Sequence, residues 1–568
     1  VEPFRACLTH LTPDQRDAYL AALTPGSPLD HRGTVVDGDL LRRLLDALRV
    51  PGTGISEIGT AQFDDAAFTG EARFESVAFI GDARFDSATF TGDAWFDFAT
   101  FAGEARFISA VFNGEARFHS AAFTGVAWFP FVSFGRDARF HSAVFTDIAW
   151  FDLATFARDA WFVSTAFSAD AWFDSASFSR HARFDSAAFA RNARFPTAVF
   201  DRTSQLGPLM CAGELDLTSA SFGSPVTIEA AARRVVCRRT RWSSTAGLRL
   251  RYAEVDFTEA VFEYPLSVAA RPQPFALPQD GVMEEGALSG RPERVRMLSL
   301  RGVDAGHLVL TGLDLSVCRF AGTVHLDQLR LEGRTVFAPT PGGLHRRGWR
   351  LVRFTRRRTL AEEQYWQAAR PAAVPGWAVA RDGEEVEGPA VLEPVYRSLR
   401  KAFEDGKNEP GAADFYYGEM VMRRADEETP PAERWLLTVY WALSGYGLRA
   451  TRALLWLLAS ITVTLVVMML WGVPGDDPRP VSTGTVTGRQ VELTTDTPDP
   501  VNPTGPLQER LSTERFERSL RVVVNSVIFR SSGQDLTTVG TYSEMTSRLV
   551  EPVLLGLAVL TVRGRIKR

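Results

Sequence analysis

Large apolar residues fall on a fixed beat between Phe63 and Phe200. Phenylalanine occupies 63, 68, 74, 79, 85, 90, 96, 101, 107 and 112, and the beat runs on to 189, 195 and 200. Steps of five and six residues alternate, so the period is eleven. An alanine stands two residues before each of these phenylalanines, with Val77, Val132 and Thr165 as the exceptions. Right-handed helical supercoils also have an eleven-residue period. Steps of five and six, however, would turn successive rings by about 140° and 240° around a helix, which scatters them to opposite sides. The Gly, Thr, Ser and Val between the rings also suit a helix interior poorly. The pattern instead predicts short extended pieces separated by corners, each sending one large side chain inward, as in a solenoid.

The Ala-x-Phe-x-x motif resembles the pentapeptide-repeat family. The resemblance implies a mainly β fold, a right-handed quadrilateral β-helix in which the phenylalanine and the small residue two before it both face inward. Two five-steps and two six-steps close four sides in 22 residues, and the 26 phenylalanines on the beat make about six and a half coils. At about 4.8 Å per coil this is a rod of roughly 30 Å.

The same period stacks surface residues into columns. One column reads Arg84, Arg106, Trp128, Trp150, Trp172, Arg194, and another reads Arg73, Trp95, Arg117, Arg139, Trp161, Arg183. Beside the second runs an acidic column of Glu71, Asp93, Glu115, Asp137 and Asp159. Trp128, Trp150 and Trp172, with Trp95 and Trp161, form a candidate partner surface. Cross-coil stacking that stiffens the rod is the other reading.

Residues 1–58 carry two apolar-periodic stretches and predict a helical N-terminal cap. The regular coil covers 59–200. From 201 to 335 a degenerate continuation keeps the beat with Leu, Val and Ile in place of Phe, interrupted by a Pro- and Gly-rich surface excursion near 266–294; the coil is expected to end near Gly333. Residues 336–430 form a basic and helical linker. Its basic run (His345, Arg346, Arg347, Arg350, Arg353, Arg356, Arg357, Arg358) reads either as solvated surface or as contact with anionic lipid. TLAEEQYWQAAR and the stretch around LRKAFEDGKNEPGAADFYYGEM read as helices, the latter split at Gly406–Gly411.

Residues 431–473 hold a Trp- and Tyr-rich interfacial helix followed by the uncharged apolar run 453–473, long enough to span a bilayer. Arg449 and Arg452 precede this run and Asp476 and Asp477 follow it, which places the solenoid in the cytoplasm of a membrane-bound protein. An extracytoplasmic loop is expected over 474–546. The last segment, 547–568, holds an apolar run from Leu549 to Val562 that is short for a span and carries Glu551 and Pro552. Its basic tail (Arg563, Arg565, Lys567, Arg568) argues for a second crossing.

This order of parts is similar to membrane pentapeptide-repeat proteins of actinobacterial type, in which a cytoplasmic coil joins a two-helix, potassium-channel-like module. SLRVVVNSVIFRSSGQDL stands where the channel family has its pore helix and a Thr-x-Gly-Tyr-Gly-Asp-type filter. Ser532, Gly533, Gln534 and Asp535 are then the candidate degenerate filter. One Gly and the Asp match, the Tyr and second Gly do not, and Arg530 puts a cation where a cation pore would least want one.

Net charge is −5 over 568 residues and points to no partner by itself. Cys7, Cys211, Cys237 and Cys318 share no paired or metal-like spacing, which fits a reduced, cytosolic setting. Residues Val1–Ala22 lack the apolar core of a secretory signal. Cys7 and His10 form at most half a metal site, and His119 and His141 fall on one column as a possible weak pair. No phosphate loop, nucleophile elbow or zinc motif is present, so neither catalysis nor a cofactor is predicted.

Three readings follow: a membrane-tethered scaffold that binds an unidentified protein, a channel or channel-like sensor regulated by its solenoid, and a DNA-mimicking gyrase-binding protein. The third needs a strongly acidic rod. Residues 61–200 instead hold 17 Asp/Glu against 11 Arg, in adjacent columns. The sequence favours the scaffold, with two membrane spans and no nucleic-acid partner.

Overall fold

The computed structural model describes residues 7–277, 281–347, 350–352, 354–371, 373–475, 479–487, 490–528 and 533–566. They fall into two compact units, Val1–Ala412 and Ala413–Arg568.

In the first unit, strands of two residues pair in parallel with the strand 22 positions on. Ala83 pairs with Ala105, Ala105 with Ala127 and Ala127 with Ala149, while on another side Phe90 pairs with Phe112. Each strand meets the fourth one after it, so every coil has four sides, and one face stacks eleven strands. The phenylalanines fill the interior. Phe107 lies 4.9 Å from both Phe85 and Phe129, with ring planes within 4°. It also meets Phe96 and Phe118 edge-on at 5.6 and 5.7 Å. Strand spacing forces face-to-face stacking along each column, and the edge-to-face contacts between columns supply the arrangement that ring quadrupoles prefer. The small residues two before each ring are buried, and Val77, Val132 and Thr165 fit the same places. Thr165 does so by donating its hydroxyl to the Phe140 carbonyl at 2.7 Å.

Corners explain the alternating steps. Every eleventh residue from Asp65 to Thr197 has φ between 54 and 58°. Serine dominates there because a short polar side chain tolerates the left-handed region better than a bulky one. Phe98, Phe131 and Leu153 occupy the same corners and consequently point to solvent.

The N-terminal segment holds helices α1 (Pro13–Ala22) and α2 (Gly38–Ala47). It is not purely helical, because Leu29–Asp30 and Val35–Asp37 pair with Ala61–Gln62 and Ala67–Thr69 and begin the coil. Helix α2 lies on that first coil through Leu40, Leu41, Leu44 and Leu45. Past Phe200 the coil tightens. Two register irregularities, at Leu206/Leu209 and Cys211/Glu214, come before pairings such as Ser221 with Arg241 and Arg241 with Val261. These partners are two residues closer in sequence than in the regular coil, in step with the smaller Leu, Val and Ile interior. The insertion near 266–294 is more than a surface excursion. Its Phe275, Met283 and Leu288 pack on Ala231 and Tyr252, and Glu285 pairs with buried Arg251 at 2.8 Å.

Parallel pairing continues to the Asp314–Val336 bridge. The end is then covered by α3 (Ala361–Ala369) and α4 (Pro389–Asp405). Glu362 accepts the backbone N–H groups of Phe320 and Ala321. Arg357 is buried against Glu363, and Tyr396 donates to the same carboxylate. Arg357 therefore belongs to neither a solvated surface nor a lipid contact, because its charge is neutralised inside the cap. Part of the remaining basic run forms a hairpin, His345–Arg347 with Arg350–Val352, and Arg353 lies outside the described residues.

The chain continues through α5 (Glu409–Ala425), in which the division between the units falls, to α6 (Pro431–Ser444). Helix α7 (Ala450–Val467) is prolonged by a π-turn to Gly472. The short α8 (Leu507–Arg510) leads to α9 (Thr513–Val527) and α10 (Thr538–Ile566). Residues 450–472 and 538–562 are two helices long and apolar enough to cross a bilayer. Helix α10 starts inside the stretch read as loop, so its span is not short. Within that loop region an exposed hairpin, Val481–Thr487 with Gln490–Asp496, interrupts the irregular chain.

Candidate interaction surface and helical module

The column of Trp128, Trp150 and Trp172 forms as its period requires, each residue pairing in register with the next. Trp128 and Trp150 stack at 5.4 Å and 6°, and Trp150 and Trp172 at 4.5 Å and 26°. The Arg194 guanidinium closes the ladder 4.0 Å above Trp172. The rings are half-buried, and the indole N–H groups of Trp128 and Trp172 are shielded and have no acceptor among the described residues. The ladder thus presents apolar ring surface and few donors. Two residues that the beat ignores enlarge it: Phe131 and Leu153, at adjacent corners, are 58% and 47% exposed. A large side chain off the five-six beat was the signal in the sequence.

Two carboxylates stand beside this ladder. Asp152 accepts the Asp174 backbone N–H at 3.0 Å, and Asp174 reaches Arg194 only at 3.7 Å. Burial, with Asp152 nearby, pushes the Asp174 carboxyl up to about 6. Elsewhere acids and arginines pair across coils, Arg106 with Asp86 at 2.8 Å and Arg139 with Glu115 at 3.0 Å. The second column is built differently. Trp95 lies between Arg73 and Arg117, at 4.3 and 5.2 Å, and Trp161 lies between His141 and Arg183. Arginines cover Trp95 on both sides and Trp161 on one, with the His141 ring on the other, so these two rings do not continue the stacked Trp128 ladder.

His119 and His141 approach to 6.4 Å between ring centroids. Burial and then the Arg139 charge hold His141 below the ordinary imidazole range. Cys7 Sγ lies 2.7 Å from His10 Nδ1. Among the described residues no three metal-ligating side chains come together. The four cysteines are free, and burial pushes the thiols of Cys211, Cys237 and Cys318 up, so they are inert core groups.

In the second unit, Glu551 is fully buried on α10, where Thr464 of α7 and Ser526 of α9 donate to its two oxygens at 2.9 and 2.8 Å. Two hydroxyls satisfy the carboxyl group that made the apolar run look interrupted. Arg515 on α9 donates to the carbonyls of Met469, Val473 and Pro474. Its fork thereby caps the end of the first apolar helix. Gly472 and Gly540 touch, since a Cβ on Gly540 would lie 2.3 Å from the Gly472 oxygen. Of the candidate filter, Gly533 has φ +64° and stands with Gln534 and Asp535 between α9 and α10, whereas Ser532, with Arg530 and Ser531, lies outside the described residues.

The architecture is a four-sided β-solenoid with N-terminal helices, and a helical region that includes two bilayer-length apolar helices. Residues 58–100 and 85–133 match the family model of pentapeptide repeats in nine copies. The chain therefore carries pentapeptide repeats, the matched stretch lying in the regular part of the coil. No curated protein and no solved structure matches it.

Proposed function

We propose that this chain is a membrane-tethered, non-catalytic scaffold whose solenoid, on the cytoplasmic face, binds a protein partner. The observation that carries this reading is the Trp128–Trp150–Trp172 ladder flanked by exposed Phe131 and Leu153. Contiguous apolar and aromatic surface of this kind costs solubility unless a partner covers it. Arg449 and Arg452 before the first apolar helix support the cytoplasmic placement. The test is crosslinking of the full-length protein in membranes, comparing wild type with Trp128→Ala, Trp150→Ala and Trp172→Ala. A defined adduct that disappears in the variants, while amide exchange in the coil stays protected, supports the reading. An unchanged adduct removes the ladder from it, and loss of protection without loss of adduct assigns the rings to stiffening.

One observation favours a channel-like second reading. Helix α9 is bound to both apolar helices, through Arg515 to α7 and through Ser526 to α10, as a re-entrant helix would be. Ion flux through purified full-length protein in liposomes, lost in Gly533→Ala, would carry that reading. Absence of flux in correctly inserted protein leaves the scaffold.

A further inference from the structure

The beat that builds the coil also fails at one corner. The left-handed corner residues Arg239 and Glu259 are followed on the next coils by Gly302 and Gly322, at φ +70° and +79°. Without side chains at these two corners the coil surface is hollowed. The loop 373–388 between α3 and α4 covers the hollow to form a cleft of about 990 Å3, at the upper end of the roughly 300–1,000 Å3 that hold small ligands. Its wall carries Arg234, Arg238, Arg239, Arg301, Arg319 and Arg381 against Asp256, Glu259, Glu384 and Glu387. Cations are therefore in excess.

The ion pairs here are unequal. Asp256 is fully engaged by Arg238 at 2.7 Å and by Thr258. Arg301 and Arg319 instead hold the loop by one contact each, a hydrogen bond to Glu387 at 3.2 Å and a longer ion pair to Glu384 at 3.5 Å. A guanidinium has five N–H donors, and the Arg319 Nε is buried with no acceptor among the described residues. The root of the loop is firmly anchored. Trp377 is buried against Phe354 at 5.1 Å, and the Ala378 N–H donates to Gln364 at 3.2 Å. Glu384, which also accepts the Arg381 N–H within the loop at 3.2 Å, and Glu387, just before α4, are held to the coil through the two arginines.

We propose that this cleft binds a phosphate-bearing anion, held by Arg301 and Arg319 with Arg238 beside them, and that Glu384 and Glu387 occupy the anion's place as a tethered lid until it arrives. Arginine forks match phosphate oxygens two at a time, and a phosphate offers more charge and more acceptors than one carboxylate contact. The site shares no residue with the Trp ladder.

The test titrates full-length protein in phosphatidylcholine nanodiscs with inorganic pyrophosphate, followed by calorimetry and by amide exchange over 379–387. Wild type binds saturably, binding weakens with salt, and exchange at the loop tip rises. Glu384→Gln with Glu387→Gln removes the competing carboxylates and tightens binding at least tenfold. Arg301→Gln with Arg319→Gln weakens it at least tenfold. Should the arginine variant fail to fold, the glutamate variant decides alone. Nanodiscs that also contain phosphatidic acid separate the sources of phosphate: a lipid headgroup in the cleft lowers pyrophosphate affinity only while Arg319 is present, and a soluble ligand leaves it unchanged. The proposal is overturned if neither wild type nor the glutamate variant binds pyrophosphate saturably, if the glutamate variant binds no more tightly than wild type, or if a folded arginine variant binds as wild type does.

Discussion

Phe129 and Phe131 are the same residue type two positions apart, and the coil assigns them opposite energetic roles. Phe129 is fully buried, stacked on Phe107 and Phe151 at 4.9 and 4.8 Å and met edge-on by Phe118 and Phe140 at 5.7 Å. Phe131 sits at a left-handed corner with more than half its surface in water. For Phe129→Ala, the 150 Å2 or more that an aromatic ring buries, at about 25 cal/mol per Å2, gives roughly 4 kcal/mol. This agrees with the 3–5 kcal/mol typical of buried Phe→Ala. Hydrogen-bonded walls spaced by the strand pitch cannot collapse into the gap, so the upper end is expected. In a quasi-one-dimensional stack the loss is local to the coils on either side. The assay is amide exchange of the full-length protein. Protection in the coils around Phe107, Phe129 and Phe151 should fall by about a thousandfold, at 1.4 kcal/mol per tenfold. Phe131→Ser, which installs the commonest corner residue, should change protection by less than about tenfold, because exposed substitutions usually stay within ±0.5 kcal/mol. Equal effects from the two variants, or a less than tenfold fall for Phe129→Ala, would refute the reasoning.

Asp174 predicts a pH dependence. Its carboxyl titrates at about 6 in the fold against an ordinary 3.8, so between those values the folded chain binds more protons than the unfolded one. Its contribution is therefore complete at low pH and is lost as pH rises through 6; Asp174→Asn should remove this dependence from thermal unfolding curves, and an unchanged pH profile would count against it. Gly540→Ala drives a methyl group into the Gly472 carbonyl and should cost about 1–3 kcal/mol as overpacking, read as a lower thermal midpoint in detergent; an unchanged midpoint would show that the helices part freely. Arg515→Gln removes the cap on the end of α7, and at about 1.5–3 kcal/mol for hydrogen bonds to a charged group it should lower the same midpoint; Arg515→Lys should restore only part, since an ammonium lacks the fork.

The sequence by itself determined the coil. The alternation of five and six residues set the beat of inward rings, and the resemblance to pentapeptide repeats implied four sides and hence a 22-residue register, so the Trp128 column was legible before any coordinate was known. It also determined the first apolar helix, because the cost of exposing backbone in a bilayer selects long uncharged runs; of the second it showed only a short apolar run and a basic tail, and the helix proved to begin at Thr538, inside the stretch read as loop. Other features depend on residues far apart in the chain, and only the tertiary structure decided them. Glu551 looked like an interruption until Thr464 and Ser526 were brought to it. Arg357 looked like surface until Glu363 and Tyr396 closed around it. The insertion near 266–294 looked like a free excursion until Tyr252 met Phe275. The arginine cleft needed coils 239 to 322 and the loop 373–388 in one place, and no local pattern encodes that meeting. Periodicity reports what each residue does toward its own axis. The partners of a polar group that leaves the beat are set by packing between segments.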